Sequence, residues 1–202
     1  MKIYAVIRNY DAGGAKSSVF GDGDPCWYTM PDSSILKTGN PFFVPDFDDR
    51  FLAFPSIVYR IGRLGKSIST RFAHRYLDSW TIGVAVVATE TLKRLRDRGL
   101  PWCEAVSFDR SCLLGNLQPI NTLINNEVIR ISCGSSEMNY DISDLKKSPY
   151  EIIERLSRTN TLKNGDFILS GLTPEGLKLE PGMKLTARHE TLNTNIIDIN
   201  IR

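Results

Sequence analysis

Long apolar runs, paired cysteines and histidines are all scarce in this chain of 202 residues, and each shortage excludes a class of protein. No stretch approaches the roughly 18 consecutive apolar residues of a membrane-spanning helix, so we expect no membrane partner. The four cysteines, at positions 26, 103, 112 and 133, form no C-x-x-C pair, and only two histidines accompany them, which argues against a zinc site. Scattered cysteines in a chain whose first residues read as a strand rather than an export signal predict reduced thiols and a cytoplasmic location.

An excess of charge of either sign is also lacking, because 25 basic residues are balanced by 23 acidic ones. The densest basic run, 93–98, falls on the outer face of a predicted helix, where a solvated surface is the simpler interpretation. We therefore expect no nucleic-acid partner, which would need a basic stripe or patch. The length and the apolar fraction of 42% fit one globular domain. We divide it into an N-terminal strand and loop at 1–24, which could form a small subdomain, and a main domain at 25–202.

Two apolar runs, each followed by a helical pattern, form the centre of the chain. The runs at 57–61 and 81–87 have the β-branched and aromatic composition of strands. The spacing of apolar residues predicts helices over 70–78 and 89–98. Gly99 then ends the second helix.

The remainder of the chain reads mostly as strands, with one further helix. Ser148, Pro149 and Glu151 have the residue types of an N-cap, first and third helical position, so we expect a helix from there to about residue 158. Asn125-Asn126 is a plausible hairpin turn between two of the strands. The expected strands are 1–8, 25–31, 118–123, 127–132, 166–170, 183–188 and 192–201. The pattern predicts a mixed α+β protein that is rich in β-structure.

Six short motifs follow one another in the order and spacing of a known family. They are Arg60-Ile-Gly-Arg-Leu-Gly-Lys66, Gly99-Leu-Pro-Trp102, Ser107-Phe-Asp109, Leu114-Gly115, Asn164-Gly-Asp166 and Ile168-Leu-Ser-Gly171. From residue 25 to the C-terminus the chain thereby resembles the fumarylacetoacetate hydrolase family. The resemblance implies rolled, mixed β-sheets with a few short helices. It also implies C–C hydrolysis, decarboxylation, hydration or tautomerisation of 2-oxo or β-keto dicarboxylic acids, with Mg²⁺ or Mn²⁺ held by three carboxylates.

The residues that the resemblance places at the metal site are not carboxylates. Without gaps, the family's Glu-x-Glu pair falls on Phe54 and Ser56, and its third carboxylate falls on Ala85. In a strand, residues i and i+2 point to the same face, which is how such a pair converges on one ion. This chain therefore has the strand but none of the three carboxylates, and we expect no metal cofactor.

The other site positions of the family are only partly kept. The lysine before the Ser/Gly-Phe-Asp motif is replaced by Val106, whereas Asp109 of that motif remains, either as a leftover catalytic group or as a turn residue. The threonine of the family's Gly-Thr-Pro matches Thr173 only after a shift of one residue. The expected vestigial pocket therefore consists of Phe54, Ser56, Ala85, Val106, Asp109 and Thr173.

Nearby acidic residues offer no simple replacement for the missing carboxylates. The nearest acidic residues, Asp46, Asp48 and Asp49, lie about eight residues upstream of the ligand positions. Shifting the alignment to bring them there would break the match at residues 60–66, so we interpret them as a solvated acidic turn. Glu90 belongs to the first turn of a predicted helix, where the helix dipole alone favours a carboxylate.

These observations leave three functional hypotheses. The first is a family member with a degenerate metal site, catalytically inactive, which acts as a binding or partner protein. It would recognise a small carboxylate ligand, form a homodimer or assist an active paralogue. The second is a hydrolase, decarboxylase or isomerase of 2-oxo or β-keto (di)carboxylic acids that uses other metal ligands. The third is a metal-free enzyme with unrelated chemistry in the same pocket.

Overall fold

The computed structural model describes residues 1–11, 18–123, 128–189 and 194–202. Its strands are β1 (Ile3–Ile7), β2 (Cys26–Met30), β3 (Ile35–Lys37), β4 (Phe51–Ile61), β5 (Leu77–Ala88), β6 (Cys112–Leu114), β7 (Gln118–Pro119), β8 (Val128–Cys133), β9 (Ser136–Asp141), β10 (Phe167–Leu169), β11 (Leu177–Lys178), β12 (Lys184–His189) and β13 (Thr194–Asn200). Its α-helices are α1 (Thr89–Asp97), α2 (Cys103–Val106) and α3 (Pro149–Thr159). Short 3-10 helices span Asp32–Ser34, Thr70–Tyr76, Ile120–Thr122 and Ile142–Asp144. Among the described helices, none is long and apolar enough to cross a membrane.

The strands form two sheets. The larger has nine strands in the order β2-β1-β10-β4-β5-β6-β3, with β11 paired to β4 and β7 paired to β5. The pairs β1–β10 and β3–β6 are parallel and the other pairs are antiparallel, so the sheet is mixed. The smaller sheet is antiparallel, in the order β13-β12-β8-β9. This β-rich α+β architecture confirms the predicted fold class.

The long antiparallel pair β4–β5 is the centre of the large sheet. Its register joins residues 51–61 of β4 to residues 77–88 of β5. Alternate residues of β4 enter two separate apolar clusters, as the period of two in a strand requires. One face packs with α3 and the small sheet in a cluster that contains Ala53 and Ile57. The other face packs with α1 and α2 in a cluster that contains Phe54 and Val58.

Helices α1 and α3 confirm the patterns that predicted them. In α1, Leu92 and Leu95 are buried as expected. In α3, the Ser148 hydroxyl accepts a hydrogen bond from the Glu151 amide (3.3 Å), and the Glu151 carboxylate accepts one from the Ser148 amide (2.9 Å). This reciprocal pair is the capping box that the sequence predicted.

Two local predictions were wrong. The segment predicted as a helix over 70–78 is a 3-10 helix that ends at Tyr76, because Leu77 already belongs to β5. The strand predicted over 118–123 is β7, which stops at Pro119. Strand β7 pairs with β5, whereas β8 pairs with β9 and β12. The two strands therefore lie in different sheets and form no hairpin. The predicted Asn125-Asn126 turn lies outside the described residues.

Candidate functional site at the centre of β4 and β5

The fold brings together the three positions that the family resemblance assigns to metal ligands. Phe54 and Ala85 are direct partners in the β4–β5 register. The alternation of β4 places residue 56 on the same side as residue 54. Phe54, Ser56 and Ala85 all have no exposed surface. The three side chains therefore sit in the interior of the protein and not on the wall of an open cleft.

Aromatic packing surrounds the Phe54 ring. The ring of Phe20 approaches it edge-on, with 5.1 Å between centroids and 62° between planes. On another side lies Gly176, where an added Cβ would come within 2.9 Å of the Phe54 ring. Phe20 itself is 1% exposed. The space beside Phe54 is thus filled by protein.

Two arginines hold the segment that carries Phe20. The Arg8 guanidinium donates two hydrogen bonds to the Phe20 carbonyl oxygen, from Nε at 3.1 Å and from Nη2 at 2.8 Å. Arg96 of α1 donates to the Val19 carbonyl oxygen. Sequence reasoning missed Phe20, because it lies in a segment rich in Gly, Asp and Ser whose composition predicts only a loop. No sequence period marks a loop residue that folds back into the core.

Ser56 and Thr173 use their hydrogen-bonding groups within the backbone framework. The Ser56 hydroxyl donates to the Ile57 carbonyl (2.9 Å) and accepts from the Gly171 amide (3.1 Å). The Thr173 amide donates to the Pro55 carbonyl (3.2 Å), and its hydroxyl donates to the Glu175 carbonyl (2.7 Å). The loop after β10 therefore lies directly against β4, which places Thr173 beside the candidate site.

Val106 and Asp109 have different surroundings. Val106, at the end of α2, is 1% exposed and belongs to the same apolar cluster as Phe54 and Ala85. Asp109 lies on an exposed turn, next to Arg110 with its positive φ of 63°. Its carboxylate makes no hydrogen bond or ion pair with any residue in the described ranges. The structure therefore gathers Val106, but not Asp109, with the buried positions.

The acidic turn before β4 proves to be structural. The Asp48 carboxylate accepts hydrogen bonds from the Arg50 amide (2.8 Å) and from the Thr91 amide in the first turn of α1 (2.7 Å). It thereby satisfies one of the free amides at the start of that helix. The prediction of a solvated acidic turn agrees with the exposure of Asp46 and Asp49, but it was wrong for the half-buried Asp48. Glu90 is exposed on α1 and does not enter the buried site.

The residues at this site do not fit Mg²⁺ or Mn²⁺. Such ions bind oxygen ligands, several of them carboxylates in near-octahedral geometry. Positions 54, 56 and 85 supply a phenyl ring, a methyl group and one hydroxyl that is already hydrogen-bonded twice. Over the whole described part of the chain, no group of three or more His, Cys, Asp or Glu side chains could hold a metal ion.

Two titratable groups in the apolar cluster that contains Phe54 and Ala85 are neutral. Cys112 is the register partner of Ala85, and burial raises the pKa of its thiol to about 12. Burial also raises the pKa of Tyr28, whose hydroxyl makes no hydrogen bond with a described residue. A protonated thiol is a poor nucleophile, since the thiolate is the reactive form. Among the described residues, this cluster therefore offers the site neither a charge nor an activated nucleophile.

Comparisons with known proteins match the chain over nearly its whole length. The profile described as "Fumarylacetoacetate (FAA) hydrolase C-terminal" matches residues 2–200. The mitochondrial oxaloacetate decarboxylase of Dictyostelium discoideum is 24% identical over an alignment of 207 positions, which covers 100% of this chain and 94% of that protein. The mitochondrial oxaloacetate tautomerase FAHD1 of Arabidopsis thaliana is 26% identical, over an alignment that covers 100% of this chain and 92% of that protein.

A solved structure shows the same fold. The fumarylpyruvate hydrolase of Pseudomonas aeruginosa, in complex with Mn²⁺ and pyruvate, superposes with a TM-score of 0.87 at 21% identity. The superposition covers 100% of this chain and 90% of that chain. The family profile, the relatives and the fold agree, and the chain belongs to the fumarylacetoacetate hydrolase family.

Proposed function

We propose that this chain is a family member whose metal site has become part of the apolar core, and that it acts by binding and not by metal-dependent turnover. The observation that carries the proposal is the packing at position 54. The phenyl ring of Phe54 is fully buried and in contact with Phe20. The ungapped alignment with the family assigns a carboxylate to this position. Without a Lewis acid, the site lacks the electrostatic stabilisation of an enolate that a bound metal supplies, which is worth several kcal/mol.

An activity assay tests this proposal. The purified chain is incubated with oxaloacetate or an acylpyruvate, with Mg²⁺ or Mn²⁺, and substrate loss is followed spectroscopically. We expect the rate to equal that of buffer containing the same metal. Metal-dependent turnover that disappears on chelation would refute the proposal.

The comparisons favour a second candidate function, an enzyme of 2-oxo or β-keto carboxylic acids. Relatives that cover the whole chain are named as an oxaloacetate decarboxylase and an oxaloacetate tautomerase. In that case the reacting groups would lie outside the buried positions 54, 56 and 85. Turnover that requires Mg²⁺ or Mn²⁺, that is lost on chelation and that increases in proportion to the concentration of purified protein would support this candidate, with other metal ligands, over the first.

The binding function that we propose has two forms. One is recognition of a small carboxylate, and the other is association with a second copy or with an active paralogue. Light scattering of the purified chain, alone and after mixing with the paralogue, separates these forms. A monomer in both samples would leave the small carboxylate as the ligand to test, by calorimetric titration with pyruvate and oxalate.

A further inference from the structure

A strongly basic surface lies beyond the end of β4, far from the candidate site. Between residues 62 and 76 the sequence contains four Lys or Arg residues and no Asp or Glu. All four are exposed, and two large apolar side chains are exposed among them, Leu64 at 66% and Phe72 at 42%. We name as the basic surface the residues Arg63, Leu64, Lys66, Arg71, Phe72 and Arg75.

Two carboxylates lie beside the basic surface, and each pairs with a cation outside it: Glu154 with Arg158 (2.9 Å) and Asp78 with Arg60 (2.7 Å). Within the described ranges, none of the four forms an ion pair with a carboxylate. The basic run on α1 differs, because Lys93 pairs with Asp97 (3.0 Å) and Arg94 pairs with Glu104 (3.5 Å). The net charge of the whole chain is only +2, so the positive charge is concentrated at the basic surface.

The backbone beneath the basic surface is fixed at several points. The Gly62 amide donates to the Tyr76 carbonyl (2.8 Å), which joins the two ends of the segment. The Ser67 amide donates to the Ser157 carbonyl (2.9 Å), and the Ile68 amide donates to the Ser157 hydroxyl (2.9 Å) in α3. A segment that is already ordered loses little conformational entropy when it binds a partner.

Phe72 orients two of the arginines. The guanidinium carbons of Arg71 and Arg75 lie over its ring, 5.4 and 5.0 Å from the centroid. Such cation–π contacts modestly stabilise the position of each guanidinium group at an exposed site. Because its ring already contacts two guanidinium groups, Phe72 is poorly placed to stack on a nucleic-acid base or to insert into lipid. Its effect is to hold two planar donor groups close together.

We propose that the basic surface binds an acidic segment of another polypeptide that also carries aliphatic side chains. A guanidinium group matches the two oxygens of a carboxylate, so neighbouring arginines favour closely spaced Asp or Glu residues. Leu64 would pack against an aliphatic side chain of the same segment, which removes an isolated apolar group from water. A nucleic acid would satisfy the arginines but would offer no aliphatic partner for Leu64.

Fluorescence anisotropy with a short peptide of alternating Glu and Leu tests the proposal. The variant Arg71→Glu/Arg75→Glu is compared with Lys93→Glu/Arg94→Glu, which changes the net charge equally on the other basic run. We expect the first variant to lose roughly tenfold or more in affinity and the second to stay within about twofold of wild type. Leu64→Ser should also weaken binding, whereas its thermal midpoint should match that of wild type because the side chain is mostly exposed.

Three results would overturn the proposal. One is an equal loss of affinity in both double variants, which would mean that only net charge matters. Another is tighter binding of oligothymidylate or of phosphatidylserine vesicles than of the peptide. The third is no measurable binding of the peptide by wild type at low ionic strength, where charge attraction is strongest.

Discussion

At the scale of single residues, the contact between Phe20 and Phe54 determines what the centre of the large sheet can do. Each ring is buried, and burial of a phenylalanine side chain contributes about 1.5–3 kcal/mol to stability. An open site with a metal ion would instead need water and charge in this space. The proposed function rests on this contact, because it fills with phenyl rings the space that a metal ion and its ligands would need.

Truncation of Phe20 should lower stability substantially. We expect Phe20→Ala to reduce the free energy of unfolding by about 3–5 kcal/mol, because it leaves a cavity beside Phe54. Phe43→Ala is the matched control, since Phe43 is 53% exposed and should cost within about 0.5 kcal/mol. Urea unfolding measures both. Equal losses in the two variants would mean that Phe20 contributes no core packing.

Some of these residues could be predicted from the sequence and others could not. Positions 54 and 85 follow from an ungapped frame, and the structure makes them direct partners. Phe20 and Asp48 could not be predicted, because each acts through a contact distant in sequence, with β4 and with the start of α1. No local period or motif records such contacts. The assignment of Phe54, Ser56, Ala85, Val106, Asp109 and Thr173 to the family's site stays a prediction.

At the scale of elements, the capping box of α3 should be measurable. Ser148→Ala removes the side-chain oxygen that accepts from Glu151, and we expect a loss of about 1 kcal/mol. Ser69 is the matched control, because it precedes the 3-10 helix as N-cap but makes no side-chain cap hydrogen bond. Ser69→Ala should therefore cost much less. A loss at Ser69 as large as that at Ser148 would contradict this account of the cap.

The contact between α3 and the 3-10 helix should make stability depend on pH. Hydrogen bonds from Thr70, and then the neighbouring Arg158, lower the pKa of Glu154 from 4.5 to about 2. A lowered folded-state pKa stabilises the folded protein above the unfolded-state pKa, and this contribution is lost as the pH falls through the folded value. We therefore expect wild type to lose stability between about pH 4.5 and pH 2 more steeply than Glu154→Gln. Parallel pH profiles of the unfolding free energy would show that the contact is not formed in solution.

The elements differed in how well the sequence predicted them. Helix α3 has a capping box, helix α1 is followed by Gly99 with a positive φ, and both have apolar stripes, so their local signals agree with the fold. Residues 70–78 have a similar apolar stripe. Strand β5 begins at Leu77, however, so the helix is a short 3-10 helix that ends at Tyr76. Strand pairing could not be deduced, since the parallel partner of β1 is β10, more than 160 residues later in the sequence.

At the scale of the whole molecule, the chain has the fold of its family. Helices α1 and α2 cover one face of β4–β5, and α3 with the small antiparallel sheet covers the other. This arrangement superposes on a fumarylpyruvate hydrolase that binds Mn²⁺ and pyruvate. Under the proposed assignment of positions 54, 56 and 85 to the metal site, the fold should accept carboxylates at these positions, provided that a cation neutralises them.

The most direct measurement is a thermal melt of the triple variant Phe54→Glu/Ser56→Glu/Ala85→Asp, with and without Mn²⁺. Three buried carboxylates without a cation are costly, so we expect the variant to melt below wild type in metal-free buffer. A ligand that binds only the folded state raises its stability, so the melting temperature of the variant should rise with Mn²⁺ while that of wild type stays unchanged. A wild-type melt that rises with Mn²⁺, or a triple variant that folds but does not respond to Mn²⁺, would contradict the assignment of these three positions.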